Sequence, residues 1–174
     1  HNSDIWAMTN PVGLNSGDPV WANWGMGSAW LASHIWEHYL FTQDSEFLKE
    51  YYPVLRGAAW FCLLSLIEKD GELITSPSTS PENKYVTDKG YHGATLYGAT
   101  SDLAMAHQCM ADTRDAARTL GVDEELCERI DSTLPRLRPY KIGRKGNLQE
   151  WYHDWEDEDP THRHQSHLYG LYPG

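Results

Sequence analysis

Apolar residues recur at intervals of three or four positions over much of this chain, and that interval marks one face of an α-helix. The first such segment runs from Gly27 to about Phe41, with apolar positions at Ala29, Ala32, Trp36 and Leu40. Polar residues occupy most of the positions between them. The pattern therefore predicts a helix with an apolar face.

A second predicted helix follows Asp44, which is a favoured N-cap residue and is succeeded by Glu46 in the first turn. Pro53 interrupts this helix, because proline is accepted in the first turn of a helix but not in its middle. We therefore expect one helix to end or kink near Tyr52 and a new one to run to about Ile67. The new helix is apolar on nearly every side, which predicts neighbours all around it in a larger helical array.

The rest of the chain alternates helices with loops and contains no internal repeat or low-complexity linker. The predicted elements are a short strand at 72–74, a loop at 76–83, a helix at about 95–120, a helix from the N-cap Asp123 to about Pro135, and a loop-rich segment at 138–174. Helices of moderate length separated by long loops favour an all-α domain. A ring of helix hairpins would account for them, but periodicity does not distinguish a ring from a simple bundle.

Charge narrows the choice of partners. The chain has 14 basic and 25 acidic residues, which gives a formal net charge of −11. Such a balance repels phosphate backbones and anionic lipid surfaces. No apolar run approaches the roughly 20 residues that a membrane-spanning helix needs. We therefore expect neither a nucleic acid nor a membrane as partner.

The cysteines and the chain ends add two further expectations. Cys62, Cys109 and Cys127 are odd in number and lack metal-ligand spacing, so they are predicted to be buried thiols. The chain opens on His1 and stops at Gly174 without the signals of natural termini. We expect a piece of a longer protein, part of a single domain, whose cellular compartment the sequence does not give.

Flat aromatic side chains are unusually common, with 8 Trp and 10 Tyr against 3 Phe. Such rings can stack on sugars, but they also fill ordinary cores. The segment Gln149-Glu150-Trp151 places a carboxylate beside a ring and could bind a hydrophilic ligand, although a buried Trp beneath a loop explains it equally well. Residues 1–6, HNSDIW, offer a similar mixture of hydrogen-bonding groups and a ring.

The loop at 76–83 carries a carboxylate directly after a proline. Pro81 restricts Ser80 to extended conformations and so fixes the approach to Glu82. A carboxyl group held rigidly in an apolar pocket beside Tyr85 could act as a general acid, because burial favours the protonated form. A solvated Glu in a turn is the simpler interpretation of these residues taken alone.

A basic cluster near the end of the chain comprises His162, Arg163, His164 and His167, and acidic residues precede it. Histidines at these spacings could ligate a metal. A hydrogen-bonding network that binds sugar hydroxyls is the preferred interpretation, because no standard metal signature is present. The sequence also lacks a Gly-rich phosphate loop, a Gly-x-Ser-x-Gly elbow and a Cys-His pairing pattern, which disfavours nucleotide chemistry and acyl transfer.

Five segments, taken in order, resemble glycoside hydrolase family 95. They are HNSDIW at 1–6, WGMGSAWL at 24–31, SPSTSPEN at 76–83, QEW at 149–151 and HRHQSHLYGLYPG at 162–174. The resemblance covers essentially the whole chain. Its most specific motifs are SPSTSPEN at 76–83 and HRHQSHLYGLYPG at 162–174. It departs at Gly25, where many relatives are expected to have proline.

This resemblance implies part of an (α/α)6 barrel, a helical toroid that is incomplete in this chain. It also implies inverting hydrolysis of terminal α-L-fucosyl or α-L-galactosyl linkages in oligosaccharides or polysaccharides, without a metal or cofactor. Glu82 matches the family's general acid. The substrate-binding residues expected from the motifs are Arg163, His164, Asp4, Trp6, His1, Glu150 and Trp151. A periplasmic or extracellular location would suit such a glycan-degrading enzyme.

The part of the family's machinery that activates water resembles an Asn pair supported by an Asp, in place of the single carboxylate base of the general scheme. The Asn pair should precede His1 and the Asp should follow Gly174, so the piece alone is expected to be inactive. Two alternatives remain open: a noncatalytic sugar-binding helical module, and a phosphorolytic relative on the same barrel.

Overall fold

The computed structural model describes Val20 and residues 24–172. Residues 24–172 contain four α-helices, namely α1 (Gly27–Thr42), α2 (Ser45–Ser65), α3 (Thr100–Leu120) and α4 (Glu124–Thr133). Between and after them lie strands β1 (Leu66–Lys69), β2 (Glu72–Thr75), β3 (Tyr85–Val86), β4 (His92–Gly93) and β5 (Glu156–Asp157), and 3-10 turns at Leu134–Arg136 and Ser166–Gly170. The expectation of an all-α domain is confirmed only in part, because five short strands accompany the helices in the described residues.

Helices α1 and α2 begin and end close to where the sequence predicts. Helix α1 ends at Gln43, which adopts a left-handed conformation (φ 56°) and donates its backbone N–H to the Tyr39 carbonyl over 2.7 Å. Asp44 is the N-cap of α2, because its carboxylate accepts the backbone N–H groups of Glu46 at 3.1 Å and Phe47 at 3.0 Å. The capping prediction is confirmed.

The predicted helix end near Tyr52 is wrong, because α2 is one helix from Ser45 to Ser65 with Pro53 inside it, and the alternative of a kink there stays a prediction. Proline removes one N–H donor and leaves the carbonyl four residues earlier without its helical partner. That residue is Lys49, which is exposed, as is Pro53 itself. Water can therefore satisfy the carbonyl, and the helix continues.

The chain divides into two compact units, of which the helical unit comprises Met26–Ile74 and Leu103–Arg138. Its core is apolar and fully buried, with Leu48, Leu55, Cys62, Met110 and Ile130 each at most 1% exposed. Cys62, Cys109 and Cys127 are buried free thiols, as predicted. Thr113 donates its hydroxyl to the Leu55 carbonyl over 3.1 Å.

The prediction that the second half of α2 has neighbours on every side is not met within residues 24–172. One face is buried, but Val54, Phe61 and Leu64 are 53%, 43% and 73% exposed. The helix therefore presents a substantial apolar strip to its surroundings. None of the helices described is long and apolar enough to cross a membrane.

One further helix start and one further cap differ from prediction. Helix α3 begins at Thr100 rather than near Thr95. Helix α4 follows Asp123 as expected, but Asp123 has a left-handed backbone (φ 51°) and makes no capping bond from its side chain. Its carboxylate instead accepts the Tyr52 hydroxyl at 2.8 Å and the Arg56 Nε–H at 2.9 Å. These tertiary hydrogen bonds of the Asp123 carboxylate replace the local capping bond.

The loop-rich unit includes Thr75–Asp102 and, among the described residues, the chain from Pro139 onward. Its centre is a small antiparallel sheet in the order β4-β3-β5, with Tyr85 opposite both Gly93 and Asp157. The Tyr85 ring lies across Gly93, because a Cβ at position 93 would be 2.4 Å from the Tyr85 hydroxyl oxygen. That hydroxyl donates to the Thr95 carbonyl over 2.9 Å.

Candidate functional site

Glu82 lies in the loop at 76–83, hereafter the Glu82 loop, and the structure brings it next to the basic cluster. The carboxylate oxygen Oε2 is 2.9 Å from Arg163 Nη2 and 3.7 Å from His164 Nδ1. The Glu82 side chain is 22% exposed, against 72% for Arg163 and 42% for His164. Residues 81 positions apart in the sequence therefore share one place in the loop-rich unit.

Two further bonds hold the Glu82 loop to the segment that carries the cations. The Ser166 hydroxyl donates to the carbonyl of Pro81, the residue before Glu82. The buried Asn83 side chain donates to the Asp159 carbonyl over 3.1 Å. Glu82 thus sits between two residues that are tied to the 159–166 region. Neither Ser166 nor Asn83 stood out in the sequence except as a member of its motif.

The surroundings of Glu82 differ from the apolar pocket expected from the sequence. A guanidinium group, not an aromatic ring, donates a hydrogen bond to the carboxylate. The Tyr85 ring packs against Trp151 and Trp155, with centroid distances of 5.4 and 5.0 Å. Because Arg163 is largely exposed, its ion pair with Glu82 contributes little stability, on the order of 1 kcal/mol or less.

Beneath the Glu82 loop lies Asp102, in the first turn of α3. Its Oδ2 accepts the Ser78 hydroxyl at 2.7 Å and the Thr79 backbone N–H at 3.3 Å. Burial raises the pKa of Asp102 to about 7, although these two hydrogen bonds oppose the rise. Sequence reasoning overlooked this residue. The available signal was an acidic side chain in the first turn of a helix.

The same helix end also binds the Gln149-Glu150 segment. Thr100 donates its backbone N–H to the Glu150 carbonyl at 3.0 Å and its hydroxyl to the Gln149 carbonyl at 2.6 Å. Gln149 in turn donates its side-chain amide to the carbonyls of Trp151 and Tyr152, both at 3.0 Å. The first turn of α3 therefore anchors two of the motif segments by hydrogen bonds.

Glu150 and Trp151 themselves are buried, at 7% and 2% exposure. The Trp151 indole N–H donates to Asp157 Oδ1 over 2.8 Å, and its ring packs edge-on against Tyr85. In this structure Trp151 is therefore a packing residue beneath the loops, which is the alternative that the sequence left open. An open sugar-stacking face at Trp151 is not what the structure shows.

A partly buried cluster of titratable groups joins Glu150, Asp157 and His167. His167 Nδ1 is 3.3 Å from Glu150 Oε2. Burial lowers the pKa of His167, but the carboxylates of Glu150 and Asp157 outweigh this effect and raise it above the usual value. Burial also raises the pKa of Asp157, and the neighbouring Glu150 adds to that rise. From the sequence, Asp157 was noted only as one of the acidic residues that precede the basic cluster.

The remaining candidates take different places. His162 accepts the His164 backbone N–H at its Nδ1 over 3.1 Å, which is a local turn contact. In the described part of the chain, no group of three or more His, Cys, Asp or Glu residues is arranged to hold a metal ion. His1, Asp4 and Trp6 lie outside the described residues.

Comparison with known proteins agrees with this arrangement of motifs. The chain is 44% identical over 175 residues to a protein of Arabidopsis thaliana named Alpha-L-fucosidase 2, covering 99% of this chain and 20% of that protein. It is 35% identical over 165 residues to Probable alpha-fucosidase A of Aspergillus niger, covering 88% of this chain and 20% of that protein. The chain thus spans about a fifth of the length of these relatives. The family model described as Glycosyl hydrolase family 95 catalytic domain matches residues 1–174, so this chain belongs to that family.

Proposed function

We propose that the protein containing this chain is an inverting glycoside hydrolase that releases terminal α-L-fucose, or α-L-galactose, from glycans, with Glu82 as general acid. The observation that carries the proposal is the meeting of Glu82 with Arg163 and His164 at 2.9 and 3.7 Å. A proton donor and hydrogen-bond donors for sugar hydroxyls then lie side by side. The family membership and the fucosidase names of two relatives support the substrate class.

The ion pair between Arg163 and Glu82 can open when a sugar binds. An exposed guanidinium can leave a carboxylate at small cost, because water already screens the ion pair. A sugar that accepted hydrogen bonds from Arg163 and His164 would draw these groups away and cover the carboxyl group. The carboxyl group of Glu82 would then face the bound sugar, as a general acid requires.

The second half of an inverting mechanism needs a group that directs water to the opposite face of the sugar. In this family we expect an Asn pair and an Asp in that role, outside the 174 residues. Glu82 would protonate the departing glycosidic oxygen while that group activates water. On this proposal the 174 residues alone do not turn over substrate, whereas the full-length protein does.

Replacing Glu82 by Gln in the full-length protein tests the assignment. The change removes the proton and nearly preserves the shape, so hydrolysis of a fucosyl disaccharide should fall by about 10²–10⁴-fold. An aryl fucoside with a nitrophenol leaving group needs less protonation and should lose much less. Steady-state kcat/KM for both substrates gives the answer.

Glu158→Gln is the matched control. Glu158 makes a comparable contact in the same unit, 2.6 Å from His92 Nδ1, with a side chain that is 43% exposed. The same chemical change there should leave kcat/KM for both substrates within about twofold of the wild-type value, because exposed ion pairs contribute little. Near-normal cleavage of the disaccharide by Glu82→Gln would reject Glu82 as the acid. Retained sugar binding by a full-length protein with no turnover would favour the binding-module alternative.

A further inference from the structure

The Glu82 loop is held from below by a carboxylate that the proposed reaction does not use. Asp102 is 2% exposed, and one of its oxygens accepts both the Ser78 hydroxyl and the Thr79 backbone N–H. Burying a carboxyl group is costly, because the charged form loses its hydration. Asp102 accepts hydrogen bonds here that an apolar side chain could not accept.

What Asp102 holds is the stretch of chain that leads directly to Glu82. Ser78, Thr79 and Ser80 are each at most 1% exposed. Ser78 Oγ also accepts the Thr75 hydroxyl and the Ala99 backbone N–H, both at 3.0 Å. These contacts fix the backbone from position 75 to position 79, and Glu82 follows three residues later.

Neighbouring bonds reinforce the same stretch. The Ser101 hydroxyl donates to the Thr79 carbonyl over 3.2 Å. The backbone N–H and carbonyl of Ser78 pair with those of Leu96 at 3.1 and 2.9 Å. Asp102 Oδ2 is the acceptor that joins the first turn of α3 to both the side chain and the backbone of this stretch.

The geometry points to Asp102 as a positioning residue that sets the location of the Glu82 carboxyl group through Ser78 and Thr79. This inference rests on the proposed function, because it concerns the same acid. A general acid misplaced by about 1 Å can lose on the order of 10²-fold in rate, so an anchor three residues away is within effective range. Burial raises the pKa of Asp102, whereas the bonds from Ser78 and Thr79 lower it, so these two contacts stabilise the charged acceptor against the cost of burial.

A purely structural role is the competing explanation. An acid in the first turn of a helix stabilises the helix through its dipole. Loss of that effect would lower the amount of folded enzyme, or lower kcat/KM by the same factor for all substrates. Only mispositioning of the acid makes the loss depend on the leaving group, since the acid matters most where the departing oxygen is a poor leaving group.

The experiment uses Asp102→Ala, Ser78→Ala and Asp102→Asn in the full-length protein. For the two alanine variants, kcat/KM for a fucosyl disaccharide should fall about 10-fold or more, while that for a nitrophenyl fucoside falls less than about threefold. Asp102→Asn keeps an oxygen that can accept both bonds, so it should recover most of the disaccharide rate. Ser78→Ala supplies the result if Asp102→Ala does not fold.

Asp112→Asn is the matched control. Asp112 is another buried acid of α3, 5% exposed, whose carboxylate accepts the Gln108 side-chain amide at 2.7 Å. Burial raises its pKa to about 7 as well. It belongs to the helical unit rather than to the loop-rich unit. Replacing Asp112 should change kcat/KM for both substrates by the same factor.

The outcomes separate this inference from the proposed function. A leaving-group effect in Glu82→Gln together with equal losses on both substrates in Ser78→Ala and Asp102→Ala would overturn the positioning role alone. Absence of the effect in Glu82→Gln would overturn the assignment of the acid, and the positioning role with it. A leaving-group effect in both positions supports the role of Asp102.

Discussion

The Glu82 loop and the segment 162–170 supply the two halves of the candidate site, and they are held in different ways. In the first, Ser78, Thr79 and Ser80 are buried and bonded to α3 or to neighbouring backbone. In the second, the side chains of Arg163 and His164 are 72% and 42% exposed. The bonds within that segment are mostly short-range, such as Gln165 Nε2 to the His162 carbonyl at 2.7 Å.

The difference matches the two proposed tasks. A proton donor works only from one position, so the backbone that carries it benefits from burial and many bonds. Groups that bind sugar hydroxyls can adjust to the ligand, and an exposed Arg does so at small cost. The backbone that leads to the Glu82 carboxylate is therefore held rigidly, whereas the Arg163 side chain can adjust to a ligand.

The largest expected effect concerns pH and the buried anchor of the Glu82 loop. Asp102 has a pKa raised from 3.8 to about 7 in the folded protein. Between these values the folded state keeps a proton that the unfolded state releases, so stability should fall as pH rises from about 4 to about 7 and change little above it. The shift corresponds to roughly 4 kcal/mol at most. Urea unfolding of the full-length protein at several pH values measures it.

Comparison with Asp102→Asn isolates this contribution. Asp112 has a pKa raised to about 7, and Asp157 and His167 also have raised values, so all of them act in the same direction. The wild-type profile alone therefore does not identify the residue. The difference between wild type and Asp102→Asn should narrow as pH rises through this window. A constant difference would contradict the raised pKa.

The second prediction contrasts the packing of the two regions. Ser80 is fully buried in the Glu82 loop, whereas Gln165 is exposed. Leu at position 80 has no room, so Ser80→Leu should lower the free energy of unfolding by about 1–3 kcal/mol. Gln165→Leu should change it by no more than about 0.5 kcal/mol. Equal effects in urea unfolding would mean that the two regions are packed alike.

The smallest effect on stability is expected for Arg163→Ala. Because the guanidinium is mostly exposed, removing its ion pair with Glu82 should change the free energy of unfolding by less than about 1 kcal/mol. Its effect on substrate should be larger, about 10-fold or more in kcat/KM, since a hydrogen bond from a charged group contributes about 1.5–3 kcal/mol. Wild-type kinetics in the variant would remove Arg163 from the binding site.

Local signals in the sequence predicted the local structure well. The apolar spacing of α1, the cap at Asp44 and the strand at Glu72–Thr75 depend on residues close together in the chain, and the structure contains all three. The helix that continues through Pro53 and the missing side-chain cap at Asp123 were not foreseen, because solvent access and a tertiary contact decided them. Neither is visible to a rule based on neighbours in sequence.

The candidate site was predicted from motifs and not from geometry. The order of the segments placed Glu82 and Arg163 in the same family site, but nothing in the sequence gave their 2.9 Å contact. Asp102 escaped notice because its significance comes from burial and from a partner 24 positions away. The two-residue strands β3, β4 and β5 are too short to show alternation.

The close approach of Tyr85 to Gly93 restricts how this part of the molecule can diverge. A methyl group at position 93 would occupy the place of the phenol, and the phenol is held by its hydrogen bond to Thr95 and its contacts with Trp151 and Trp155. Any larger residue at 93 therefore requires a smaller ring or none at 85. Across related proteins these two positions should vary as a pair.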